Sequence, residues 1–363
     1  KMRLGRELLV INFLSSSLLR CRHSHRFGGQ LFQSLHSARG SSVSAASGEP
    51  LESLVDRAVE LSQRFGWDDY AGLLDVDPAL APRDAWRAWI QRSAPVVYDD
   101  GAFRVQSTGA EIQVSFDALM KRAKRPFDEA VVKACLGSKR LRRDAAEGVV
   151  VWDLTAGLGR DSYLLAAAGC RCRLQEREPA VALMLADAVA REQDDRPDGP
   201  ASRLWPVLAD ATRLSASSLP PDGQADWPDV LFIDPMFPVP GGSDEASPDK
   251  TIETEKKKKK KHTAMAKKDM QGLRDLTSAA DLREQERLFR HVYRFAASAV
   301  SNSTGEERAA DQRVAGGIKI VVKRHKNSPL IIPKEVLAPS SQLRLSTNRF
   351  DGYFLSPGGL KVL

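Results

Sequence analysis

From residue 149 onward, short apolar runs alternate with stretches of helical spacing, and each run ends at or beside an acid. Gly148–Asp153 runs into Asp153, 171–176 into Glu176, 204–208 up to Asp210, and Val230–Ile233 up to Asp234. Short continuous apolar runs with helices between them specify strands covered on both faces, hence a parallel sheet of βαβ units. Such a sheet binds its ligand beyond the carboxyl ends of its strands, where these acids stand. The spacing predicts helices at 160–168, from Pro179 to 191, at 264–276 and at 280–300. It also predicts a fifth strand over Ile318–Lys323 and a terminal hairpin from 342–346 and 350–355.

The region before this pattern is different. Residues 51–65 have helical spacing, with Leu51, Leu54, Val55, Ala58, Val59 and Leu61 along one stripe. A short helix is predicted at 84–91 and another at 127–136, with a small antiparallel sheet from 95–98, 102–106 and 111–116. The expected organisation is a small α+β domain over 49–125 followed by a Rossmann-like domain over 126–363.

The loop after the first βαβ strand reads Asp153-Leu-Thr-Ala-Gly157-Leu-Gly159-Arg160-Asp161. Glycines there let the backbone turn tightly and approach a ligand. The third glycine of a dinucleotide fingerprint is replaced by Ser162, and no Lys-Ser/Thr pair of a P-loop follows. The loop suits a nucleoside ligand without a pyrophosphate. Glu176, closing the next strand, can accept hydrogen bonds from ribose hydroxyls, as the equivalent acid does in dinucleotide folds.

After the fourth strand comes Asp234-Pro235-Met236-Phe237-Pro238, which resembles the (D/N)PP(Y/F) turn of amino-group methyltransferases with Met at the second proline. An exocyclic amine is a poor nucleophile because its lone pair is delocalised into the ring. A carboxylate and a backbone carbonyl can orient it, an aromatic ring can stack on the base, and prolines stiffen the turn.

Charge is unevenly placed. Residues 1–48 hold seven basic residues, ten serines and one acid, Glu7, so they carry +6 of the chain's formal +7. Arg-rich, Ser-rich and acid-poor composition fits a mitochondrial transit peptide and a matrix address; a secretory signal or an unaddressed disordered leader are the other readings. The apolar stretch Leu8–Leu19 is too short and interrupted to span a bilayer. Residues 239–261 read as a disordered insert ending in six lysines, Lys256–Lys261. Four cysteines give no disulfide framework, and Cys170 and Cys172 lack the spacing of a zinc site.

The stretches DLTAGLGRDSYLLAAAGCRCRLQERE (153–178), FIDPMFP (232–238), KKKKKKHTAMAKKDM (256–270), IKIVVKRHKNSPL (318–330) and NRFDGY (348–353) together resemble the RsmJ family of small-subunit ribosomal RNA guanine-N2 methyltransferases. The resemblance spans about 95 to 355. It implies a class I, S-adenosylmethionine-dependent methyltransferase fold with a smaller N-terminal α+β region. It implies small-subunit rRNA, or a ribosomal assembly intermediate, as partner, with no metal and no membrane. Carried over by position, Asp153, Gly157, Gly159, Arg160, Asp161, Glu176, Arg177, Asp210, Ala211, Thr212 and Asp234 would hold the donor. Asp234, Pro235 and Phe237 would present the guanine amine. Lys267, Lys268, Lys323, Arg324 and Lys326 would meet RNA phosphates at the site mouth. The chain departs from the family's pattern in a basic but glycine-free stretch at Lys121–Phe127, an Ala-Thr pair at 211–212, and an expanded loop after Phe237. Two other functions fit the same motifs: a non-catalytic mitoribosomal assembly factor, and a DNA or protein amine methyltransferase.

Overall fold

The computed structural model of the chain describes residues 48–67, 70–93, 96–107, 110–137, 146–215, 218, 227–235, 282–302, 317–356 and 359. The leader up to residue 47, the insert at 239–261, the helix expected at 264–276, and Phe237, Lys267 and Lys268 lie outside them. Residues 48–363 form one compact unit.

Ten strands are described: β1 Val96–Asp99, β2 Ala102–Ser107, β3 Ala110–Gln113, β4 Val150–Asp153, β5 Arg171–Glu176, β6 Leu204–Leu208, β7 Val230–Ile233, β8 Ile318–His325, β9 Ser341–Arg344 and β10 Asn348–Leu355. Six helices of seven residues or more frame them: α1 Gly48–Arg64, α2 Pro82–Ser93, α3 Ala130–Leu136, α4 Arg160–Ala167, α5 Pro179–Asp195 and α6 Leu282–Asn302. The first three strands make an antiparallel sheet in the order β1-β2-β3. The other seven make one sheet in the order β6-β5-β4-β7-β8-β10-β9, parallel except that β10 runs antiparallel to both its neighbours. This is the strand order of a class I methyltransferase. The chain moves outward from β4 through β5 to β6, then returns to place β7 on the other side of β4. That reversal opens a crevice at the carboxyl ends of β4, β5 and β7.

Side-chain alternation assigns each strand two faces. Val151, Leu174, Phe232, Val321 and Phe350 join the cluster shared with α4 and α5. Val150, Trp152, Leu231, Ile320, Val322 and Tyr353 join the cluster beneath α6. Helix α5 starts at Pro179, whose missing N–H costs nothing at that position. Its Ala- and Leu-rich stretch from 179 to 190 is buried throughout because the sheet lies on one side and the N-terminal elements on the other.

The N-terminal elements share this hydrophobic cluster: Leu54, Ala58 and Leu61 of α1, Trp86 and Trp89 of α2, and Phe103 and Val105 of β2 belong to it. One carboxylate fastens them. Asp187 of α5 is fully buried and accepts hydrogen bonds from Arg57 of α1 (2.9 and 3.0 Å), Arg191 (2.9 Å) and the backbone N–H of Phe103 (3.1 Å). Trp67 adds a bond from Nε1 to the Pro206 carbonyl at 2.9 Å.

Removing one partner of a buried charge network leaves the others uncompensated, at a cost of about 3–5 kcal/mol. Asp187→Ala should therefore lower the unfolding free energy by roughly that amount, read by urea titration. A loss below about 1 kcal/mol, the scale of an exposed pair, would deny Asp187 this role.

Candidate active site

The loop leaving β4 is pinned from both sides. Leu154 N–H donates to the Phe232 carbonyl of β7 and Ala156 N–H to the Gln175 carbonyl of β5, each at 2.9 Å. Gly157 and Gly159 then adopt φ values of +53° and +68°, the left-handed region that favours glycine. A Cβ at Gly159 would stand 2.5 Å from Leu185 Cδ1 and 3.3 Å from Leu174 Cδ2, so the turn closes tightly onto the core before α4 starts.

Three acids are set by this loop. Asp153 is buried at the end of β4; its Oδ2 accepts from Ser162 Oγ at 2.6 Å and its Oδ1 from Thr155 N–H at 3.3 Å. Glu176 closes β5 and accepts from Gly157 N–H (2.9 Å) and Glu178 N–H (2.8 Å), which leaves capacity for further donors on each oxygen. Asp234 follows β7, and its own N–H donates to Thr155 Oγ1 at 2.7 Å. That bond ties the β7 turn directly to the glycine loop.

These groups line one cavity of about 490 Å³, a size that holds a nucleoside-like ligand. Asp153, Gly157, Arg160, Asp161, Glu176, Arg177, Asp210, Ala211, Thr212, Asp234 and Pro235 all line it. Gly159 supports it from behind. Asp210 is oriented by Thr212, which donates to it through both N–H and Oγ1 at 2.8 Å. Burial raises the Glu176 carboxyl, and it raises Glu178 to about 7 with help from the negative charge of Glu176. Among the described residues no cluster of His, Cys, Asp and Glu could hold a metal.

The basic residues divide differently from expectation. Lys326 is exposed on the loop after β8, whose carbonyls at 326, 328 and 329 are held by Arg349. Arg324 is buried inside the protein, donating to Gln285 of α6 at 3.1 Å, and does not reach the mouth. Lys323 lies within β8 and points into the cavity, where its ammonium bridges Asp161 Oδ2 and Asp234 Oδ2, each at 2.7 Å. Alternation along a strand sends neighbouring residues to opposite faces, so Lys323 and Arg324 could not both face the mouth.

Several lining residues carried no motif. Glu284, Gln285 and Leu288 from the start of α6 form one wall, and Arg177 approaches Glu284 at 3.8 Å. Arg122 and Glu129, paired with each other, form another, beside exposed Lys121, Lys124 and Arg125. Thr155 could have been singled out in the sequence, since a hydroxyl between a strand-end acid and a glycine is placed to reach a neighbouring strand end.

Residues 103–254 match a family described as "Putative SAM-dependent methyltransferase". The chain is 34% identical over 206 residues to ribosomal RNA small subunit methyltransferase J of Chromobacterium violaceum, covering 56% of this chain and 61% of that one. It is 30% identical over 227 residues to the protein of that name from Pectobacterium atrosepticum, covering 62% of this chain and 68% of that one. The Pseudoalteromonas translucida protein is 28% identical over 261 residues, covering 70% of this chain and 83% of that one.

Burial, with the nearby charges of Asp161 and Asp234, lifts the Asp153 carboxyl to about 7, against about 3.9 when unfolded. The folded chain thus keeps a proton that the unfolded chain releases. The stability this confers is complete below about pH 4 and is lost as pH rises through about 7. Asp153→Asn does not ionise, so its stability relative to the parent should rise by on the order of 4 kcal/mol between pH 4 and 8. A stability difference that stays constant across this range would rule out a raised Asp153.

Proposed function

Because the chain belongs to the ribosomal RNA small subunit methyltransferase J family, we propose that it transfers a methyl group from S-adenosylmethionine to the exocyclic N2 amine of a guanine in small-subunit rRNA. The observation that carries this reading is the bond from Asp234 N–H to Thr155 Oγ1, which joins the amine-orienting turn to the nucleoside loop. The residues present fit the donor: a cavity of nucleoside size, a strand-end carboxylate at Glu176 held by backbone N–H groups, and acids facing a ligand that carries a sulfonium.

Glu176 would take the ribose hydroxyls, Asp210 and Thr212 would flank the base of the donor, and the turn at Gly157 would let the backbone lie close to it. When bound, S-adenosylmethionine supplies a methyl on sulfur, whose S–C bond breaks as the N–C bond forms, with the electron pair retained by sulfur. Asp234 and the Pro235 carbonyl would accept the two amine N–H bonds and aim the nitrogen lone pair along that line. After transfer the surplus proton leaves the nitrogen for water, and the anionic Asp234 steadies the charge while it is there. Most of the rate enhancement is then positioning.

Exposed Lys121, Lys124, Arg125 and Lys326 near the cavity support a polyanionic acceptor, since they are local excesses on a chain that is nearly neutral after residue 48. The composition of the leader supports delivery to the mitochondrial matrix, which would make the organellar small-subunit rRNA the acceptor.

Asp234→Ala should lower kcat/KM by at least about a hundredfold, the scale of a lost orienting group. The assay is transfer of labelled methyl into purified small-subunit rRNA, followed by mapping of the modified guanine. Label entering only protein or DNA would overturn the acceptor. Reversing Lys121, Lys124 and Arg125 to Glu should raise KM for rRNA and flatten its salt dependence by about three phosphate contacts, while donor affinity stays the same.

A further inference from the structure

The bridge made by Lys323 is an unusual feature of this cavity. Its ammonium is 2.7 Å from Asp161 Oδ2 and 2.7 Å from Asp234 Oδ2. The three side chains are 19%, 22% and 29% exposed, so the unit is partly withdrawn from water and only lightly screened. Asp161 belongs to the first turn of α4, on the glycine-loop side; Asp234 belongs to the turn expected to present the amine. One lysine therefore joins the two halves of the site from a third element, β8.

We propose that Lys323 is a positioning residue for methyl transfer: it binds Asp161 and Asp234 into one unit of net charge −1 and fixes Asp234 through Oδ2, so that Oδ1 receives the acceptor amine. This rests on the methyl-transfer reading and deepens it. Two carboxylates and one ammonium leave a single negative charge beside a ligand that enters as a sulfonium and leaves as a neutral thioether. A site of charge −1 matches that cation, while one of −2 would hold the spent product less strongly than the donor by a wider margin.

The arrangement also decides when Asp234 is an anion. Burial and the charge of Asp161 push its carboxyl up, and Lys323 opposes them. Lys323 is held firmly protonated by the same two acids. Other charges act on this unit: Asp153 feels both Asp161 and Asp234, Arg122 feels Asp161, and Arg160 lines the same cavity beside Asp161. Without Lys323, the three acids would face one another without the ammonium that bridges two of them. Asp234 would then take up a proton at a higher pH and cease to accept the amine.

The test is Lys323→Met, which keeps the aliphatic stem and removes the charge, beside Lys323→Arg, which keeps the charge. Calorimetry on the full chain would give the affinities of S-adenosylmethionine and S-adenosylhomocysteine. The donor-to-product affinity ratio should rise on the order of tenfold in Lys323→Met, as loss of one nearby positive charge requires, and return toward the parent value in Lys323→Arg. The acid limb of kcat/KM for rRNA should move to higher pH in Lys323→Met and be restored by Lys323→Arg. A purely structural lysine would change neither quantity in this pattern. An unchanged ratio in a variant that retains the parent's thermal midpoint would overturn the proposal. If the parent binds donor but does not methylate rRNA, the acceptor assignment fails while the affinity ratio still decides the role of Lys323. Absence of donor binding by the parent would overturn both.

Discussion

The structure turns on strand β4 being covered on both faces. Val150 and Trp152 bury against α6, Val151 buries against the α4–α5 layer, and neighbouring strands satisfy its backbone on each edge. Such a strand can expose polar chemistry only where it ends. At that end the chain turns through Gly157 and Gly159, and adjacent strands hold the turn through Phe232 and Gln175. Asp153, Glu176 and Asp234 are brought together because three parallel strands end at the same edge of the sheet, Glu176 and Asp234 each two residues beyond the level of Asp153.

The parallel sheet was legible because its strands are almost uninterrupted apolar runs. β5, β6 and β7 fall where the hydrophobic pattern places them. The boundaries that shifted did so for local reasons. Helix α5 continues to Asp195, past the last apolar residue, because Glu192 receives Tyr163 Oη and Arg64 reaches over to Asp194, so its polar last turn has partners. The start of α3 moves to Ala130 because Pro126 opens a separate short 3₁₀ turn ahead of it. The donor-loop acids were visible as strand-end carboxylates. The bridge of Lys323 was not, since it spans 89 and 162 residues to its two partners. Lys323 and Arg324 look alike in a linear basic run, and only the pleat separates them, one into the cavity and one under α6.

Electrostatics in this protein is local in character. The overall positive charge resides mainly in residues 1–48, and the remaining chain is nearly balanced. What differs from place to place is whether charges are compensated. Asp187 is surrounded by donors and serves as a fastener. Asp153 is buried with only a hydroxyl and a weak backbone donor, so it stays close to neutrality. Asp161 and Asp234 share one lysine, whose ammonium bridges them at the cavity. The same residue type thus does three different jobs according to the donors around it.

The fastening of α5 at Asp187 has a consequence for how the molecule can be divided. Helix α5 begins directly after Glu176 and Glu178, so one rod starts at the wall of the donor site and carries the N-terminal layer along its side. A shortened protein that starts at the Rossmann-like strands would bare the Ala- and Leu-rich side of that rod and strand Asp187 without Arg57. The small α+β layer is therefore part of the foundation on which the donor site stands.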